Sequence, residues 1–369
     1  MARGPFCPRQ LISVSLLAKR RERGYNKIAM IRNTARSDLR TVPAVRCGGM
    51  EKPMKNYVFG VDLGGTTAKL GLLDSSGTLL DKWEIPTRTE NAGVHILPDI
   101  AATLDEALAR SGVAKESVLG AGIGVPGAVT GDGFTAPCVN LDGWGGFDVS
   151  RRLGELCGFP VRTANDANVA ALGEMWMGGG RGSANMVLVT LGTGVGGGVI
   201  VDGRILTGIH GAAGEIGHIK VAADEPEPCG CGKHGCLEQY ASATGIVHQA
   251  MRLLAGGEPS TLRGAGELTA KMVVDHAKDG DRLACKVVDL FSDSLGKALA
   301  TVSCVCDPDV FVLGGGVSRA GSFLLDPVKA AFRKYAFPAA EETRFGLAIL
   351  GNDAGVYGAA KLILDELEA

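Results

Sequence analysis

One imidazole and three thiols, His218, Cys229, Cys231 and Cys236, fall within nineteen residues of the run GEIGHIKVAADEPEPCGCGKHGCLE, Gly214 to Glu238. Nitrogen with soft sulfur is the ligand set of a closed tetrahedral zinc site. Four protein ligands leave no open position, so the ion reads as structural rather than catalytic. Glycines between the cysteines let the backbone fold tightly around a small ion. Cys229 and Cys231 are one residue apart, which suits shared metal binding better than a disulfide to one another. The alternative is a loop of free or disulfide-bonded thiols beside a spectator histidine. Glu215 lies three residues before the histidine and Glu238 two after the last cysteine, so a metal here would fasten two carboxylates in one place.

A second kind of chemistry is written in glycine. Turns of glycine and threonine let several backbone N–H groups and a hydroxyl converge on one anion. One such turn holds Gly64, Gly65, Thr66 and Thr67, with Asp62 before it and Lys69 after it; another holds Gly192, Thr193 and Gly194. Asp62 is placed to hold Mg²⁺, because hard cations take oxygen ligands beside phosphates. A third run, Gly314, Gly315 and Gly316, follows the apolar stretch Val310 to Leu313 and would let a helix start pack against a flat nucleoside. Any one of these runs is also what a tight hairpin needs. Three at the ends of apolar strands, one with an acid, point to nucleotide binding. None is a Walker A loop, since no Gly-Lys-Ser/Thr follows at the required spacing.

The third cluster is Asn165-Asp166-Ala167-Asn168, at the end of a short strand and the start of a helical stretch. Asp or Asn at a helix start is often only an N-cap, worth about 1 kcal/mol. That explains one polar residue and not three in four positions. If the substrate is an alcohol, a carboxylate must take its proton as a phosphoryl group is transferred. Asp166 is the candidate base, with Asn165 and Asn140 orienting hydroxyls and Glu215 and Glu238 accepting from others. Carboxylates with amides suit a neutral polyol, whereas an acidic substrate would need basic residues here.

The elements that must carry these groups are legible from periodicity. Tyr57 to Val61 is a buried strand, followed by strands over Ala68–Leu73 and Thr78–Ile85, a three-strand meander. A helix is expected over Val94–Arg110 and a strand over Val118–Val125. The pattern then repeats: Met186–Leu191, a glycine turn over Gly192–Gly198, Val199–Asp202 and Arg204–Leu206. LGGTTAKLGLLDSSGTLL from Leu63 aligns with LGTGVGGGVIVDGRIL from Leu191. An internal duplication follows, with two halves facing one another across a ligand cleft.

Composition sets the frame. At 369 residues the chain can hold two domains, and its net charge of −2 is ordinary for a soluble protein. The remaining cysteines, Cys7, Cys47, Cys138, Cys157, Cys285, Cys304 and Cys306, read as reduced thiols of a cytosolic protein. No apolar run reaches transmembrane length. Residues 1–50 carry eleven Lys or Arg against two acids. This leader has no secretory cleavage pattern, although its Arg-rich, acid-poor composition also suits a transit peptide. It is expected to be disordered, or to precede a true start near Met50 or Met54.

Taken together, Asp62-Leu-Gly-Gly-Thr, Asn165-Asp-Ala-Asn, Leu191-Gly-Thr-Gly-Val-Gly-Gly-Gly, Gly214-Glu-Ile-Gly-His and Cys229-Gly-Cys-Gly-Lys-His-Gly-Cys-Leu-Glu resemble the ROK (repressor, open reading frame, kinase) family. The resemblance runs from about residue 56 to 366, with the motifs in order, and is greatest to the family's ATP-dependent bacterial glucokinases. It implies an α/β, actin-like fold with a ribonuclease H-like core in each of two domains and a cleft between them. The expected division is a leader over 1–54, a small domain over 55–172 with 356–369, and a large domain with the zinc loop over 173–355. The resemblance also implies a cytoplasmic homodimer that transfers phosphate from ATP, with Mg²⁺, to O6 of D-glucose. Asp166 is then the base, Asn140, Asn165, Glu215, His218 and Glu238 the sugar contacts, and His218, Cys229, Cys231 and Cys236 the zinc ligands. Other hexoses (N-acetylglucosamine, N-acetylmannosamine, mannose, fructose) and polyphosphate as donor share the motif set. A sugar-sensing repressor is the different class. Fifty proline-interrupted residues without two clear amphipathic helices are too few for its DNA-binding domain, so neither nucleic acid nor membrane is an expected partner.

Overall fold

The computed structural model describes residues 56–368; the leader expected over 1–54 lies outside them. The first meander forms as expected: β1 (Tyr57–Leu63), β2 (Thr67–Asp74) and β3 (Leu79–Pro86). Helix α1 (Ile96–Ser111) follows, with Pro98 in its first turn, where a missing N–H costs nothing, and Gly112 closing it at a left-handed φ of 64°. Then come β4 (Val118–Val125), the two-stranded ribbon β5 (Phe134–Thr135) and β6 (Phe147–Asp148), α2 (Val149–Cys157) and β7 (Val161–Asn165). Helix α3 (Asp166–Met177) leads to β8 (Met186–Leu191), β9 (Val195–Val201) and β10 (Arg204–Ile205). The second half continues through α4 (Ala243–Ala255), α5 (Ala270–Lys278), α6 (Arg282–Cys306), β11 (Val310–Gly314), α7 (Ser322–Tyr335) and β12 (Arg344–Leu347). Helix α8 (Ala354–Glu368) ends the described chain.

The two main sheets have one topology. Their strand orders are β3-β2-β1-β4-β7 and β10-β9-β8-β11-β12. In each, an antiparallel meander joins two parallel strands through its first strand. Parallel strands need crossover connections and bury both faces, which is why β1, β4, β8 and β11 read as nearly unbroken apolar runs. β3, at an edge, alternates partly buried and exposed positions.

Helix α8 lies unusually close to the first sheet because glycines face it. A Cβ at Gly60 would come 1.9 Å from the carbonyl oxygen of Val356, and one at Gly122 would come 1.7 Å from that of Ala359. The expected long turn over Gly192–Gly198 is shorter in the structure. The chain turns at Gly192–Gly194, and Gly196, Gly197 and Gly198 belong to β9. Their lack of side chains serves close packing instead: a Cβ at Gly198 would meet Ala171 at 2.6 Å and the Ala167 carbonyl at 2.8 Å. That lets α3 rest directly on the second sheet. Among the described residues no helix is long and apolar enough to cross a membrane.

Candidate active site

The two glycine-threonine turns occupy equivalent places, with four residues between the last paired positions of the first and three in the second. In the first, Leu63 pairs with Ala68 and Asp62 with Lys69; in the second, Leu191 pairs with Val195 and Thr190 with Gly196. Gly64 N–H donates to the Thr67 carbonyl at 3.1 Å, and Gly192 N–H donates to that of Gly194 at 3.0 Å. Asp62, Lys69, Thr190 and Gly196 all line one cavity of about 330 Å³. Asp166 and Ala167 at the start of α3 line it too, together with Gly351 and Asn352 just before α8 and Ala354 and Gly355 at its start.

Asp166 is held by its own helix start. Asn165 caps α3, its Oδ1 accepting from Ala167 N–H at 3.0 Å and Asn168 N–H at 3.2 Å. Asn165 also donates from Nδ2 to the Gly127 carbonyl at 3.1 Å, tying the helix start to the turn after β4. Asp166 accepts from Ala167 N–H at 2.8 Å. Burial pushes its carboxyl above the ordinary carboxylate range, and the charge of Glu215 adds to the shift; the Ala167 N–H and Asn165 oppose it. Burial likewise pushes Asp62 up to about 6, with Lys69 pulling it down and Asp166 pushing it further up. Two buried carboxyls in one cavity, beside a single lysine, are a setting that a divalent cation fits.

The loop after β10 extends this cluster. Glu215 is exposed, and its Oε2 lies 4.0 Å from Nε2 of His218. The other ring nitrogen, Nδ1, faces the Cys229 sulfur at 3.7 Å, and the sulfurs of Cys231 and Cys236 are also 3.7 Å apart. All four ligand atoms lie within 4.8 Å of one another. A tetrahedron with metal–sulfur bonds of about 2.3 Å has edges of about 3.7 Å, which the Cys231–Cys236 spacing matches. Burial pushes the Cys236 thiol up to about 12 and raises that of Cys229, whereas the Lys233 backbone holds Cys231 below the usual thiol range; a cation would favour ionising the two buried sulfurs.

Glu238 joins this loop to the second turn. Its Oε2 accepts from Val195 N–H at 3.0 Å, and its Oε1 lies 3.7 Å from the Cys229 sulfur. A side chain at Gly194 would collide with this carboxylate, since a Cβ there would sit 2.2 Å from Oε2. A cavity of about 430 Å³ opens beside it, lined by Thr193, Gly194, Cys229, Gln239 and His248. Asn140 is exposed, and its carbonyl lies 3.1 Å from where a Cβ at Gly65 would stand, beside the first turn.

The third glycine run closes on the second turn from the other side. Gly315 adopts a left-handed φ of 83° and packs on the Leu191 backbone, where a Cβ would meet the carbonyl oxygen at 2.5 Å. A cavity of about 470 Å³ lies there, lined by Gly192, Thr193, Val274, Gly316 and Ala320. Lys271, Lys278 and Arg319 supply its basic rim, and the first two pair with Asp275. Apolar walls with a basic rim suit a nucleoside bearing phosphates. Sequence reasoning passed over these cations and Asn352, because isolated Lys, Arg and Asn on a helix or loop look like any solvated surface. A larger cavity of about 730 Å³, lined by Arg151, Arg162 and Arg204, contains none of the candidate site residues.

The ROK family profile matches residues 58–366. The chain belongs to the ROK family. Glucokinases of Halalkalibacterium halodurans and Thermotoga maritima are 46% and 36% identical to it, over 83% and 85% of this chain and 94% and 99% of their own length. A ROK family glucokinase of Streptomyces griseus, solved with glucose and AMPPNP, superposes with a TM-score of 0.64 at 34% identity, covering 83% of this chain and 98% of that one. The fold is therefore the actin-like fold of ROK sugar kinases, and the doubled sheet topology is its internal repeat.

Proposed function

We propose that this ROK protein transfers the γ-phosphoryl group of ATP to O6 of D-glucose. The observation that carries the reading is the meeting of Asp166, Asp62 and both hairpins in one cavity, in a chain 46% identical to a glucokinase. The reaction needs an alcohol held in line with a phosphate, a base for its proton and neutralisation of charge. Asp166 takes the O6 proton as the new oxygen–phosphorus bond forms and the bond to ADP breaks. Its raised pKa makes it a better proton acceptor than an ordinary carboxylate. The N–H groups of the two turns hold the phosphates, and the cavity beside Gly316 holds the nucleoside. Mg²⁺ bound with ATP supplies charge neutralisation, and Asp62 would hold it.

Glu215, His218, Glu238 and Asn140 form the sugar end of this reading. His218, Cys229, Cys231 and Cys236 would hold a structural zinc that keeps the imidazole and both glutamates in register. Steady-state kinetics of the purified protein with glucose, mannose and N-acetylglucosamine test the assignment. Glucose is expected to have the highest kcat/KM. A preference for the N-acetyl sugar would leave a ROK kinase and overturn the choice of glucose.

A further inference from the structure

Glu174 lies two turns along α3, the helix that begins with Asp166, and is 1% exposed. A carboxylate so deeply buried is tolerated only where hydrogen bonds replace its water. Its side-chain partners are backbone N–H groups: Gly179 at 2.8 Å and Ile349 at 3.1 Å donate to Oε2, and Leu350 at 2.9 Å donates to Oε1. The donors come from two distant segments. One is the glycine turn that ends α3, which also donates from Gly178 and Gly180 to the Glu174 carbonyl at 3.1 and 2.9 Å. The other is the strap from β12 to α8, residues 348–353.

Lys82 of β3 grips the same strap from its other side, with Nζ 3.0 Å from both carboxylate oxygens of Asp353. Between the two grips lie Gly351 and Asn352, which wall the cavity shared by Asp62 and Asp166. Immediately beyond, α8 begins against Asp62 itself: a Cβ at Gly355 would come 2.5 Å from the Asp62 Cγ. The chain that faces Asp62 is thus fastened, through Glu174, to the helix that carries Asp166.

We propose that Glu174 is a positioning residue that clamps the strap to α3 and so fixes the wall of the phosphate end of the site against Asp62. The sugar-end residues Glu215, His218 and Glu238 sit on a different loop, so loss of the clamp falls on the nucleotide. The inference rests on the kinase reading above.

Glu174→Gln keeps the shape of the side chain but offers one acceptor oxygen to three donors. The KM for MgATP is expected to rise about tenfold and kcat to fall about tenfold, with the glucose KM within about twofold of wild type. A merely structural carboxylate would lower the melting temperature and leave both KM values unchanged well below it; that result overturns the proposal. Leu350→Pro is the second variant. Leu350 has a φ of −75°, which proline can adopt, and the substitution removes one donor while leaving Glu174 in place. It should shift the MgATP KM in the same direction by about twofold to fivefold. An unchanged value there, should Glu174→Gln not fold, also overturns the proposal. Failure of the wild type to phosphorylate glucose would count against the kinase reading instead. Calorimetric dissociation constants for AMPPNP in wild type and variant would then decide the matter, with weaker binding in the variant expected.

Discussion

The two hairpins are the same backbone bearing different chemistry. Position for position, Asp62 and Lys69 of the first correspond to Thr190 and Gly196 of the second, and all four face one cavity. Duplication explains why two matched hairpins line one cavity. It does not explain the reaction, which needs charge on one side only. The first hairpin brings a carboxyl, Asp62, and an amine, Lys69, to the cavity that Asp166 also lines. The second is neutral, and a Cβ at Gly196 would crowd the Thr190 hydroxyl at 2.6 Å. It takes its carboxylate from elsewhere, through Glu238 bound to Val195 N–H. The difference teaches that symmetry of fold supplies the cleft, while a few substitutions at matched positions supply its polarity.

Four substitutions test this contrast. The largest effect is expected at Asp166, which stands between the hairpins. Asp166→Asn should lower kcat by about 10²–10⁴ while glucose still binds, measured by turnover and calorimetry. In the wild type, the acid limb of kcat should lie above the usual carboxylate range of about 3.8, because burial and Glu215 raise the Asp166 pKa and activity is lost as the base takes a proton. Near-normal turnover in the variant would remove Asp166 from the mechanism.

Asp62→Asn comes next, with a loss in kcat of roughly 10² or more. Its stability should move the other way. Asp62 holds its proton up to about pH 6 when folded, against an ordinary carboxyl value of 3.8. The folded chain therefore binds the proton more tightly, and the stability this contributes is lost as pH rises through about 6. Above that pH the ligand-free variant should melt a few degrees higher than wild type, and equal or lower melting temperatures would contradict the burial argument.

Cys231→Ala tests the link from the metal cluster to the second hairpin. Metal analysis should give about one zinc per chain in the wild type and far less in the variant, with activity lost in parallel, since structural zinc supplies on the order of 10 kcal/mol of local folding energy. Full activity without metal would detach the cluster from the site. The smallest effect is expected at the neutral counterpart of Asp62. Thr190→Val should change kcat by less than about threefold, and a loss as large as that of Asp62→Asn would erase the asymmetry between the hairpins.

Much of this arrangement was legible in the sequence because it is local. Strand periodicity located both meanders, and the aligned stretches from Leu63 and Leu191 announced the repeat. The spacing of His218, Cys229, Cys231 and Cys236 announced a cluster whose atoms the fold does bring together. Long-range purposes were not legible. Gly197 and Gly198 read as a loop, because a glycine needed for a helix to approach a strand looks the same in sequence as one needed to turn. Glu174 carries no signal of its own in the sequence, since its donors lie in a glycine turn and in a strap near the far end of the chain. The basic rim of Lys271, Lys278 and Arg319 carries no spacing of its own.

The most direct test of the account is to follow phosphorus. Purified protein with MgATP and glucose, monitored by phosphorus nuclear magnetic resonance, should convert the γ-phosphate into an ester coupled to the C6 methylene protons of the sugar. ADP should form in equal amount, and the signal should vanish in Asp166→Asn. ADP release that does not depend on sugar, or no transfer to glucose at all, would contradict it.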